Sequence, residues 1–376
     1  MRKFCIALLF TGLFFMSLAA VEPGGSISIA ELKPKAEYIA GRQVRAEGKK
    51  YDVPPYEVIM FYDATSRDAA DSLAILEDMR LRHLSLPEQD RAEILALSRN
   101  SKRLTKASVG PDGIGIQVYA DERRLLFNEY AAAELLLPVA LIAQDGKVLW
   151  KGSVIDVENI LSLLRKKKFD PSLQVKIERI RREMQMAIQA SLPDVILRCA
   201  DDILKLQRGD AMAVRAKLFV LESSNRFPQA LAFAKTNAEE NPEDVNQTLL
   251  YFEYLAKAGN VKAFQTAFPA ALARFRGDPE SLFRILNYAV AVLPFAWFHP
   301  ADALPALLGI KAYWNAQPPE RAASFHETAA RLHCLLCDPK RAAEEQAAAL
   351  ECRRGTVHEA EAKRLLEYYR KIRPAQ

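Results

Sequence analysis

The residues best suited to chemistry lie near the C-terminal end. His326, His333, Cys334, Cys337, Cys352 and His358 fall within one short region. Cys-x-x-Cys followed by a further Cys and a His is zinc-ligand material, and Cys334-Leu335-Leu336-Cys337 also has the spacing of a redox dithiol. The elements that must position these groups work against both. Asp338-Pro339 separates a helix over 319–337 from one over 339–353, and two helices so joined run antiparallel. Cys337 then sits at the turn and Cys352 about 13 residues down the second helix, roughly 20 Å away. His326 lies at the far end, on the side of Cys352 and His358. The set divides into two groups, neither with four ligands, and no metal is expected. A redox Cys-x-x-Cys also opens a helix, where the dipole favours thiolate, whereas this one closes a helix, where the dipole raises the thiol pKa. The spacing permits a local disulfide, with α-carbons about 5 Å apart. The preferred reading is small buried apolar side chains. No H-E-x-x-H, G-x-S-x-G or phosphate-loop motif occurs, and no cofactor is expected.

The chain has 376 residues, 50% hydrophobic and 26% charged, which excludes a disordered or collagenous protein and suggests two or three domains. Arg2 and Lys3 precede an apolar run, Phe4 to Ala20, that ends in small residues. This is the pattern of a cleaved signal peptide over residues 1–20, with Ser17 and Ala19 at the small-residue positions. Export to the periplasm or beyond is therefore expected. The net charge of +5 falls to +3 without Arg2 and Lys3, too little for a nucleic-acid binder. No later segment is long and apolar enough to span a membrane. Cys199, Cys334, Cys337 and Cys352 are too few for a disulfide scaffold, so the fold must rest on its own core.

From Pro171 onward the sequence is helix after helix, over about 173–190, 193–207, 210–223, 227–240, 243–257, 260–275, 279–293, 301–314, 319–337, 339–353 and 356–372. Asp210, Asp244 and Asp278 recur every 34 residues. Val214, Thr248 and Leu282 follow the same interval, as do Leu218, Phe252 and Leu286. The period, the Asn225–Leu231 stretch with Pro242, and the Ala258-Gly259-Asn260 turn resemble tetratricopeptide repeats, although the early Trp and Gly are missing. The resemblance implies stacked helix pairs with a concave face that binds a protein or peptide. Of the aromatics Tyr251, Tyr254, Phe264, Phe268, Tyr288, Trp297, Phe298 and Trp314, most must be core and a few could line a groove.

The first half mixes strands and helices. Residues 57–63, 93–98 and 114–119 are strand-like. Thr65 and Asp68 form a capping-box pattern before a helix to Leu84. A short helix over 128–135 precedes Pro138, and VALIAQ and KVLWKG flank Asp145-Gly146, a strong hairpin signal. A helix over 156–166 closes the segment. The expected order is β-α-β-β-α-β-β-α.

Leu137–Gly152 and Met60–Leu76 resemble exported thioredoxin-like proteins of the TlpA type, over roughly residues 35–168. The resemblance implies an α/β thioredoxin-like domain at 28–168, an active site where the first helix begins, and a cis-proline at Pro138. The departure is decisive for activity: the two active-site cysteines fall on Ser66 and Ala69. A hydroxyl is far too weak an acid for a helix dipole to ionise, and Ala69 has no chemistry. Pro138 could offer a peptide-binding ledge, but without cysteines beside it a purely shaping role is preferred. Ser66, Arg67 and Asp68 could bind an anion or peptide, with a capped solvent-exposed loop the preferred reading. The whole reads as a non-catalytic binding or scaffold protein, its helical-repeat domain at 169–376. The alternative is a thiol-disulfide oxidoreductase using Cys334 and Cys337 or a partner's thiol.

Overall fold

The computed structural model describes residues 23–41, 55–84, 86–110, 113–131, 137–356 and 358–372. The expected signal peptide lies outside them. The chain separates into two compact units, one running to Glu77 and from Glu88 to Val157, the other combining Asp78–Pro87 with Glu158 onward.

The first unit is α/β. Its elements are α1 (Ile29–Leu32), β1 (Glu37–Ala40), β2 (Tyr56–Tyr62), the start of α2 (Ala69–His83), β3 (Ala92–Ser98), α3 (Lys102–Val109), β4 (Gln117–Ala120), α4 (Leu125–Tyr130), β5 (Val139–Gln144) and β6 (Lys147–Gly152). The described strands form one six-stranded mixed sheet in the order β1-β4-β3-β2-β5-β6. Strands β2, β3 and β4 run parallel, while β1, β5 and β6 pair antiparallel with their neighbours. Successive residues of β2 and β3 are buried on both faces, which explains why these strands read as continuous apolar runs rather than as an alternation. One face, carrying Ile59, Phe61, Leu95, Leu97 and Leu141, packs with Leu126 and Phe127 of α4 and with Ile29 and Leu32 of α1. Asp145 and Gly146 both have positive φ, 50° and 74°, the geometry of the tight hairpin turn their sequence announces.

Two elements depart from expectation. Helix α3 stands between β3 and β4 where the sequence suggests a direct connection. It supplies the crossover that parallel pairing of β3 with β4 requires. The short helix before Pro138 sits at Leu125–Tyr130 rather than at 128–135, and residues 132–136 lie outside the described ones.

The second unit is all-helical from α5 (Val157–Arg165), whose first residue belongs to the sheet unit, onward. There follow α6 (Pro171–Gln189), α7 (Pro193–Leu206), α8 (Ala211–Ser223), α9 (Phe227–Glu240), α10 (Val245–Lys257), α11 (Val261–Arg274) and α12 (Pro279–Val292). The 34-residue interval is a period of helix termini. Asp210, Asp244 and Asp278 cap α8, α10 and α12 by accepting backbone N–H groups of the first turn. Ser191, Asn225 and Gly259, at the same interval, adopt left-handed φ of 53°, 57° and 64° at the turn inside each helix pair. At each, the next residue's N–H reaches a carbonyl five positions back, the Schellman pattern that closes a helix. The rhythm ends at Leu293, which is extended. Beyond it lie α13 (Pro300–Gly309), α14 (Lys311–Asn315), α15 (Pro319–Leu335), α16 (Pro339–Arg353) and α17 (Glu359–Lys371). The single helix expected over 301–314 is thus two, parted at Gly309-Ile310.

Candidate functional sites

Three places contain groups capable of chemistry or binding. The first is the end of the sheet where the parallel strands finish, the edge at which open α/β sheets hold ligands. Strand β2 ends at Tyr62, and the chain turns through Asp63–Asp68 into α2. Asp63 organises this turn, its Oδ1 accepting the Thr65 N–H at 2.9 Å and the Thr65 hydroxyl at 2.6 Å. Arg99, just past β3, pairs with Asp63 Oδ2, its Nε at 2.9 Å. Burial alone would push the Asp63 carboxyl up, but the Thr65 hydrogen bonds and Arg99 outweigh it and hold the group well below the usual carboxylate range. Asn100 Oδ1 accepts the Ala64 N–H at 2.7 Å. The expected capping box does not form, because the Thr65 hydroxyl turns back to Asp63 rather than to α2.

Ser66 is half-buried, its Oγ enclosed with no hydrogen-bond partner among the described residues, and Ala69 is buried in the first turn of α2. The register that pairs Phe61 with Val139 sets Pro138 at this same sheet end, beside Tyr62. The Leu137–Pro138 bond is cis. Ser66 and Pro138 are therefore brought to one edge, but the described residues of the sheet unit include no cysteine and Asp63 is committed to Arg99. A serine without a base has no means of becoming a nucleophile.

The second place is the Cys/His region. Cys334 closes α15, and Cys337 follows it in the left-handed conformation at φ 60°. The Cys337 N–H donates to the Cys334 carbonyl at 3.0 Å and the Asp338 N–H to the His333 carbonyl at 2.9 Å. The dithiol spacing thus coincides with the same helix-closing turn that Asn225 and Gly259 make. All four described cysteines are free thiols. Burial pushes the Cys334 and Cys199 thiols up, away from thiolate. His326 Nδ1 is engaged by Glu345 Oε2 at 2.7 Å, and Lys311 reaches the other oxygen of the same carboxylate at 2.5 Å. His358 stands at the N-terminus of α17. Among the described residues no group of three His, Cys, Asp or Glu side chains is placed to hold a metal ion.

The third place was not legible in the sequence. Helices α9 and α11 both pack on α10 and leave between them a cleft of about 550 Å³. Thr248 and Tyr251 of α10 form its floor, alanines of α11 one wall, and Lys235, Glu239, Lys262 and Arg274 its charged margin. Of the aromatics named from the sequence, Tyr251 lines this cleft, whereas Tyr254, Phe264, Phe268, Phe298 and Trp314 are core.

No protein-family model matches this chain, and no curated protein matches it. Solved structures similar to part of it include two of MamA. MamA 41-end from Desulfovibrio magneticus RS-1 aligns with 48% of this chain and 96% of its own at 16% identity and a TM-score of 0.32. A MamA RS-1 ArsTM double mutant aligns with 48% and 95% at the same identity and score. Likeness at this level assigns no activity. No helix among the described residues is long and apolar enough to cross a membrane.

Proposed function

We propose that this chain is an exported, non-catalytic binding protein that joins a thioredoxin-like domain without its cysteines to tetratricopeptide-like helical repeats that take a protein or peptide. The observation that carries this reading is the sheet end, where Ser66 precedes α2 and a buried Ala69 opens it next to the Pro138 turn, while the described residues of the sheet unit include no cysteine. Thioredoxin-like descent is supported by β2 lying between parallel β3 and antiparallel β5, with the β5–β6 hairpin at the edge. The binding role is supported by helix pairs recurring at 34 residues, which is the tetratricopeptide period. Against the oxidoreductase alternative stand the helix-closing role of Cys337 and the raised Cys334 thiol.

An insulin-reduction assay on the purified mature protein tests the reading. Turnover at the level of buffer is expected, and Cys334→Ser with Cys337→Ser is expected to change stability alone. Turnover that this double substitution abolishes, with the fold intact, would transfer the active site to the helical unit. Export is tested by N-terminal sequencing from the envelope fraction, with a start at Ala20 or Val21 expected and an intact Met1 in the cytosol contradicting it.

A further inference from the structure

We propose that the segment Asp78–Pro87 is a built-in ligand of the helical repeats: it covers a face made by α12 and α15, and an outside protein that uses this face must first displace it. This rests on the binding role proposed above and names how that role is controlled. The segment contains the last turns of α2, yet it groups with the helical unit rather than with the sheet. Two contacts hold it there. The Leu81 carbonyl is one of the last of α2, where helical donors run out and the dipole favours a cation. Arg321 Nη1 of α15 stands 3.5 Å from its oxygen. Arg321 is itself buried and fixed, gripping both oxygens of Glu280 of α12 and lying over the Trp314 ring at 4.8 Å. The buried His83 ring supplies the second contact, its Nε2 lying 2.9 Å from Glu158 Oε2 and 2.9 Å from Arg165 Nη2 of α5.

The face belongs to the repeat. Asn246 of α10 and Glu280 of α12 stand one 34-residue interval apart, each the second residue of its helix. Asn246 Oδ1 accepts from Arg284 Nη2 at 2.6 Å, and Glu280 Oε1 from Arg321 Nη2 at 2.5 Å. Equivalent positions of successive repeats thus present two guanidinium groups to the segment. One of them is mismatched. Arg82 pairs with Asp78 at 3.2 Å, but its Nε is enclosed without a hydrogen-bond partner among the described residues, and it lies in the field of Arg284. Burial pulls the Arg284 guanidinium below its ordinary pKa and Arg82 pulls the same way, against Asp78, Asp244 and Glu280. Like charges in a partly buried contact repel strongly. Cohesion alone would be better served by an apolar or acidic residue at position 82. The arginine there keeps the contact weak enough for a partner to displace, although a segment of the same chain competes at high effective concentration.

The probe is a fluorescent synthetic peptide of residues 69–87, titrated against the full chain. Wild type should bind it weakly, because its own copy is in place. Asp78→Lys with His83→Gln loosens the segment without touching α12 or α15, and should raise affinity for the peptide by at least ~10-fold. Adding Arg321→Ala should remove that gain. Arg82→Met, which deletes the like charge, should act in the opposite sense, slowing amide exchange at Leu84 and Leu86 and weakening peptide binding below wild type. Amide exchange over residues 245–353 shows whether each variant keeps its helical unit, and Arg82→Met keeps the test decisive should the double substitution unfold it. The proposal is overturned if the loosened, folded variant binds the peptide no better than wild type, if Arg321→Ala leaves the gain intact, or if Arg82→Met fails to slow exchange at Leu84 and Leu86. In-envelope cross-linking separates this failure from failure of the broader reading. A partner captured equally by wild type and by the loosened variant removes the built-in ligand and keeps the binding role, whereas absence of any partner with either removes both.

Discussion

Replacing Asp210 by Ala is the most searching probe of the helical unit, because that carboxylate has two duties. Its Oδ1 accepts the Ala213 N–H at 2.9 Å and caps α8, while its Oδ2 accepts from Arg181 Nη2 of α6 at 2.5 Å. Asp210 is fully buried and Arg181 is 3% exposed, so the pair is shielded from solvent. Deleting one member of a buried pair costs about 3–5 kcal/mol, because the other charge stays behind uncompensated. Loss of the cap adds about 1 kcal/mol. Glu178, 3.9 Å from Arg181, retains part of the compensation. The expected total is therefore at the low end, about 3 kcal/mol. The repeat supplies its own controls, since Asp244 and Asp278 cap α10 and α12 at the same register without a buried arginine. Each should cost only about 1 kcal/mol when changed to Ala. Urea denaturation of the full chain, with amide exchange resolved over residues 171–223, measures all three. If Asp210→Ala costs no more than Asp278→Ala, the buried pair does not hold α6 to α8 and the reasoning fails. Adding Arg181→Met to Asp210→Ala should recover part of the loss, since the stranded charge is then gone.

Three further outcomes are expected. Cys337→Gly should raise stability by about 1 kcal/mol, read as an increase in Tm, because glycine adopts the left-handed conformation at φ 60° without strain. Burial raises the Glu345 carboxyl pKa, but His326 and Lys311 outweigh it and bring it from 4.5 to about 2, so its contribution is complete above pH 4.5 and is lost as pH falls toward 2. That contribution is about 3 kcal/mol, and Glu345→Gln should flatten the acid limb of a stability–pH profile between those limits. Gly41→Ala should lower Tm sharply, because at φ 111° a β-carbon would meet the Ile116 carbonyl oxygen at 2.0 Å.

Legibility in this sequence follows the range of the interaction that fixes each feature. Helix ends are set by single residues acting on their own first or last turn, so Asp210, Asp244, Asp278 and Gly259 announced their places. The hairpin was equally local, written in Asp145-Gly146. Helix α3 was not announced, because of its eight residues only Thr105 is buried and no apolar stripe results. Arg99 and Asn100 escaped notice for a longer-range reason. They are 36 positions from the loop they hold, and only the parallel pairing of β2 with β3 brings them to Asp63 and Ala64.

The cleft is the extreme case. Lys262 and Arg274 are unremarked surface cations in the sequence, and Thr248 is one polar residue within an otherwise apolar helix face. One internal signal was available: the column that holds Val214 and Leu282 holds a threonine in the middle repeat. A column of a helical repeat that is apolar twice and polar once marks a place where one repeat departs from the stacking its neighbours share. Here that departure coincides with a cavity and an unmet hydroxyl. Thr248→Val, which restores the repeat's apolar column without adding bulk and removes a buried hydroxyl that has no partner among the described residues, should leave Tm unchanged or higher.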